Sequence, residues 1–132
     1  MRLNSVLVSL VMLGMSHSVY AGPAEEAFSS ELLDCAAYYQ ISSEAIAAMN
    51  APQMQAVGEK LKTSSTDAIA IAKKYRTDEQ VEAGLNAARE SHIKSMAGSS
   101  SLGNLMAKYK ESCKAILADP QQRLDYWVMA TM

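Results

Sequence analysis

The sequence predicts an all-α protein: one helical bundle of four main helices plus a short C-terminal helix, stapled by a single disulfide and preceded by a leader that is removed. Three observations lead there. Alanine, lysine, glutamate, glutamine, leucine and methionine dominate and only three prolines occur, which is the composition of helices. No stretch alternates Val, Ile or Thr with polar residues, as a half-buried strand does. Apolar residues instead recur every three or four positions, in segments punctuated by proline, glycine or serine.

The leader comes first. Arg2 and the free amine form a short positive region, Val6 to Met15 is apolar apart from one serine, and Val19 and Ala21 stand at the −3 and −1 positions of a small-residue cleavage site. This is the layout of a secretory signal peptide, residues 1–21. The apolar run is about half the roughly 20 residues that a membrane-spanning helix needs. Cleavage after Ala21 leaves residues 22–132, a single domain of 111 residues. A chain of that length buries about two-thirds of its unfolded surface. Losing Arg2 leaves 11 basic against 14 acidic residues. The charges are interspersed, so neither nucleic acid nor an anionic membrane is an expected partner.

Segment one runs from Pro23 or Ser30 to Met49, with an apolar stripe of Phe28, Leu32, Cys35, Tyr39, Ser43, Ile46 and Met49. Asn50-Ala51-Pro52 ends it, because a residue before proline is pushed out of helical geometry. Segment two begins near Pro52 with the stripe Met54, Val57, Leu61, Ser64 or Ser65, Ala68, Ile71 or Ala72, and Tyr75. Its weak helix formers, Thr63 to Thr66, predict a kink or break. Segment three opens on a capping box, Thr77 with Gln80, and its stripe is Val81, Leu85, Ala88, His92 and Met96. Gly98 to Gly103 reads as a loop. Segment four spans Leu102 to Leu117 with Leu102, Leu105 or Met106, Tyr109, Cys113 and Ile116 inward. Asp119-Pro120 then caps and starts a fifth helix to about Ala130, carrying Leu124, Trp127 and Val128.

In a secreted chain, two cysteines read as one structural bridge, Cys35–Cys113, ahead of a pairing between two chains. An up-down-up-down bundle sets segment one beside segment four, antiparallel. Facing Cys35 with Cys113 then sets Tyr39 against Tyr109, Leu32 against Ile116, Ile46 against Leu102 and Ser43 against Leu105. The spacing is not the C-x-x-C of a redox pair.

Catalytic chemistry is hard to place. His92 is the only histidine beyond the leader, and on an inward stripe it reads as a core-edge residue bonded to a backbone carbonyl or to a neighbour. The sharper reading makes it a metal or haem ligand, with Met96 or Met106 opposite. The serine clusters sit at helix ends and loops, as caps. Glu25-Glu26 and Asp78-Glu79 lie in first helical turns, where they favour the helix dipole. Met129-x-x-Met132 is half of a copper-binding pattern at most. No cofactor is expected.

Aromatic residues with polar tips are enriched at interfaces. Tyr38, turned about 100° from Tyr39, and the pair Tyr126-Trp127 are therefore the candidate binding surface; the competing reading of Trp127 is a lid on the bundle end. The expected function is that of a small periplasmic or secreted, non-enzymatic protein whose partner is another protein. Small secreted helical proteins with one disulfide include acid-stress chaperones of the bacterial periplasm and immunity proteins that neutralise cell-wall-attacking toxins. No motif ties the chain to either, so both stand as alternatives. A noncovalent haem or small-ligand carrier, built on His92, is the other.

Overall fold

The computed structural model describes residues 21–97 and 102–132, and among them all regular structure is helical. The elements are α1 Pro23–Ala48, a 3-10 turn Pro52–Met54, α2 Gln55–Ala72, α3 Asp78–Ala97, α4 Leu102–Ala118 and α5 Pro120–Ala130. The expected leader up to residue 20, Val19 of its cleavage site included, and residues 98–101 of the expected loop lie outside the described residues. α4 starts at Leu102, the expected start of segment four, and takes in Gly103 from the expected loop.

Local signals behave as expected. Thr77 N–H donates to Gln80 Oε1 at 3.1 Å and Gln80 N–H to Thr77 Oγ1 at 3.2 Å, satisfying two amides that α3 leaves without helical partners. Asp119 accepts the Gln122 amide at 3.2 Å ahead of Pro120. Asn50 takes a left-handed φ of 50°, a conformation asparagine tolerates, and this turns the chain from α1 towards α2.

The packing departs from four equivalent helices. At 26 residues, α1 is about 39 Å long, and all four other helices pack on it, α2 most extensively. Thirteen of its residues are buried, from Ala24 to Ile46 and on every side, where the sequence pattern shows one stripe. A helix apolar all round belongs at the centre of a core. Ser43 is only half-buried and Met49 is exposed, so the stripe fails at its C-terminal end.

Partners of α1 on α2 and the turn after it run in the opposite direction: Phe28 with Tyr75, Ser29 with Arg76, Ala36 with Ser65, Ile46 with Gly58. The two helices are antiparallel and close. A Cβ on Gly58 would lie 3.2 Å from Ile46 Cγ2, and the buried face of α2 is Gly58, Ser65, Ala68 and Ala72. Val57, expected inside, is exposed. The expected break at Thr63 to Thr66 is absent. Thr63 and Thr66 each donate to the carbonyl four residues back, Glu59 at 3.1 Å and Lys62 at 3.2 Å. Ser65 Oγ donates across to the Ala36 carbonyl at 3.2 Å. The polar residues that weaken an isolated helix thus find partners in this one.

Cys35 and Cys113 are bonded, with Cα atoms 5.6 Å apart, and fasten α4 to α1. Of the register predicted around them, Tyr109 meets Tyr38 rather than Tyr39: the rings stack at 5.9 Å and 26°. Tyr38 is therefore core, 1% exposed, and not part of a binding surface. The helix-centred stripe placed Tyr39 inward and turned Tyr38 out; with helices on all sides of α1, both are buried.

Candidate interaction surface

On α1, Glu31 is half-buried and faces α5. Its carboxylate accepts from Arg123 Nε at 3.0 and 2.9 Å and from Trp127 Nε1 at 2.6 Å. A further Arg123 nitrogen lies 2.8 Å away. Arg123 and Trp127 are four apart, hence on one face of α5. The hydrogen bond to Glu31 pushes the Arg123 guanidinium further up from its ordinary value, against a smaller opposing effect of burial. Arg123 also covers the Tyr126 ring at 4.2 Å, and Tyr126 and Trp127 meet edge to face at 5.2 Å. One charge-assisted node fixes the rotation of an 11-residue helix that on its own would be marginal in water.

That rotation decides what α5 presents outward. Met129, two positions past Trp127, points about 200° away from it. Seven large apolar residues are exposed among the described residues, and four of them fall in the last seven positions: Tyr126 at 50%, Val128 at 45%, Met129 at 75% and Met132 at 98%. Met49, Val57 and Ile93 lie elsewhere, just past α1 and on α2 and α3. Beside the patch runs a groove of about 380 Å³ between α4 and α5, lined by Ser112, Ala115, Asp119, Gln122 and Tyr126 among others.

Of the residues singled out from sequence, the structure thus brings Tyr126 and Trp127 together and separates them from Tyr38. Trp127 is half-buried and acts as a tether, while Tyr126 faces out. Of the apolar residues on this helix, Val128 is on the surface. Glu31 and Arg123 were not legible, since 92 residues separate them. The spacing of Arg123 and Trp127 was a signal that this face of α5 seeks one acceptor.

No family model, curated protein or solved structure matches the chain.

His92 occupies a second cluster. It is buried, and its Nε2 donates to the Asp34 carbonyl at 2.9 Å, as the bland reading has it. A carbonyl only accepts, so Nε2 carries the hydrogen. The ring packs on Tyr109 at 4.7 Å. The adjoining cavity, which includes Met96 and Lys108, measures about 210 Å³, below the roughly 300–1,000 Å³ typical of small-molecule pockets. Among the described residues, no group of three or more His, Cys, Asp and Glu is placed to hold a metal. Burial pushes the Tyr39 phenol up to about 12, Tyr38 adding to the effect. Burial also raises Tyr38, against a smaller lowering by Ser42. Both phenols stay protonated at neutral pH and offer no general base.

Asp34 yields a prediction. Burial holds its carboxyl above the ordinary 3.8, outweighing the nearby His92 and Lys108, which lower it. The folded state then binds this proton more tightly than the unfolded state. Stability is fully present below the unfolded value and falls as pH rises through the folded value. Asp34→Asn, near-isosteric and of similar helix propensity, is expected to raise the thermal midpoint at neutral pH. The gain should vanish near about pH 3, below both values. Melting curves at the two pH values check this; an equal gain at both would point to another cause.

Proposed function

We propose that this chain is a small periplasmic or secreted protein without catalytic activity that works by binding another protein through the outer face of α5. The observation that carries the reading is the concentration of Tyr126, Val128 and Met129 on α5, with Met132 just past its end, while Trp127 and Arg123 pin that helix to Glu31. Large apolar patches on a folded surface mark interaction sites, and a rigid mount lowers the ordering cost of binding. Aromatic residues and methionine are also the side chains enriched at interface cores. The chemistry elsewhere agrees. Both cysteines form a disulfide, the histidine beyond the leader is hydrogen-bonded in the core, and the buried phenols are neutral. Among the described residues no helix is long and apolar enough to cross a membrane.

The test places a photo-crosslinking residue at Met129 in the exported protein, and separately at exposed Lys62 on α2. A discrete adduct is expected from position 129 alone. The adduct partner, once purified, should bind Met129→Asp at least tenfold more weakly than the unsubstituted protein, with no change in melting temperature. Equal adducts from both positions, or an affinity indifferent to Met129→Asp, would sink the reading.

A further inference from the structure

α1 begins immediately after the expected cleavage site. Pro23 is its first residue, and the Gly22 carbonyl accepts the Glu26 amide at 2.9 Å. Ala24 is buried and so is Phe28, one turn on. The first turn is also held from outside. Arg76, just beyond α2, donates to the Glu26 carbonyl at 3.0 Å and to Ser29 Oγ at 2.6 Å. Ala21 itself is half-buried. It lines a cleft with Glu26, Tyr75, Arg76, Gln80 and Gly84.

An enzyme that pairs with its substrate through the main chain needs an extended strand, here running through the scissile bond on both sides. Gly22 is extended, with φ −67° and ψ 172°. Pro23 and Ala24 are helical, and Ala24 is packed into the core. Presenting the Ala21–Gly22 bond therefore requires the first turn of α1 to unwind, breaking the Gly22 to Glu26 hydrogen bond and the two Arg76 contacts and exposing Ala24.

We infer that folding of this domain closes the Ala21–Gly22 bond to a leader peptidase, so that removal of the leader must precede formation of the first turn of α1. The inference rests on reading residues 1–21 as a cleaved leader. The reaction is hydrolysis: water adds across the amide, Ala21 leaves as a carboxylate and Gly22 gains a free ammonium group. A chain that folds first keeps its leader. A chain cleaved first starts α1 with a positive charge at the helix end where positive charge is disfavoured. Glu25 and Glu26 then have a second use. Glu25 lies close enough that a Cβ on Gly22 would be 2.8 Å from its Oε2, so the new ammonium forms next to a carboxylate.

The experiment uses the full 132-residue chain, folded and oxidised in detergent, with a purified leader peptidase and mass-spectrometric readout of the cleavage position. The unfolded reference is the full-length Phe28→Asp/Leu32→Asp variant, its loss of helix verified by circular dichroism. The folded chain should be cut after Ala21 at least tenfold more slowly than the reference. Arg76→Ala, with native helicity, should be cut several-fold faster than the folded chain. Cleavage of the folded chain within threefold of the reference would overturn the inference while leaving the leader reading intact. A reference that is not cut after Ala21 removes the leader reading and the inference with it.

Discussion

Replacing Cys35 and Cys113 together by alanine is expected to cost about 4.5 kcal/mol, the chain-entropy value for a bridge across this many residues, here a sequence separation of 78. Against a total stability of about 5–15 kcal/mol for a domain, the variant should sit at the edge of folding. Strain and residual structure in the unfolded chain lower the figure. Lost packing raises it, since both sulfurs lie in the core. The architecture says which part of the fold suffers. α2 holds α1 by a long antiparallel contact, whereas α4 makes a smaller contact with α1, with Leu105, Cys113 and Ile116 as its buried residues. Without the bridge α4 and α5 should loosen first, and the Trp127 fluorescence, which reports the Glu31 node, should change at lower denaturant than far-UV helicity. Coincident transitions at the wild-type midpoint would contradict this. Reductant alone should leave the native protein oxidised, because Cys35 and Cys113 are 1% and 0% exposed and exchange requires a thiolate to reach one of the sulfurs. Thiol labelling in dithiothreitol with and without denaturant separates the two cases.

The features legible in the sequence are those decided within one or two helical turns, or by elimination. Thr77 with Gln80 and Asp119 before Pro120 announce helix starts because cap and amide are three residues apart. The α3 stripe from Val81 to Met96 stands out because only one side of that helix is packed. Cys35 and Cys113 pair because no other partner exists. The failures share a cause as well. Which sides of α1 are covered depends on four other helices, and the small residues that admit them, Ala36, Ala37 and Ser42, give no strong apolar signal. Gly58 carries none, yet its missing side chain brings α2 against Ile46 and leaves Val57 outside. The outward face of α5 follows from Glu31, a charge on another helix. Its aromatic pair could be seen in the sequence; which member tethers and which presents could not.

Tyr38 is where the two accounts part by the largest measurable amount. As a surface residue, Tyr38→Ala would change stability by no more than about 0.5 kcal/mol. In the structure its ring is 1% exposed, stacked on Tyr109 and tilted against Tyr39 at 5.0 Å. It sits one turn from Cys35 and close to the junction of α1, α3 and α4. Truncating so large a buried aromatic costs about 3–5 kcal/mol in transfer and cavity terms. Tyr38→Ala should accordingly lower the midpoint of urea unfolding sharply at an unchanged slope. Tyr126→Ala, removing a ring that is half exposed, should cost under about 1 kcal/mol. Tyr38→Phe separates ring from hydroxyl. The phenol faces the buried Ser42 Oγ, which has no hydrogen bond of ordinary geometry, so losing the hydroxyl should cost about 1 kcal/mol or less. Similar losses for Tyr38→Ala and Tyr126→Ala would mean that α1 is not packed on all sides, and the tethering of α5 to Glu31 would then lose the frame that holds it.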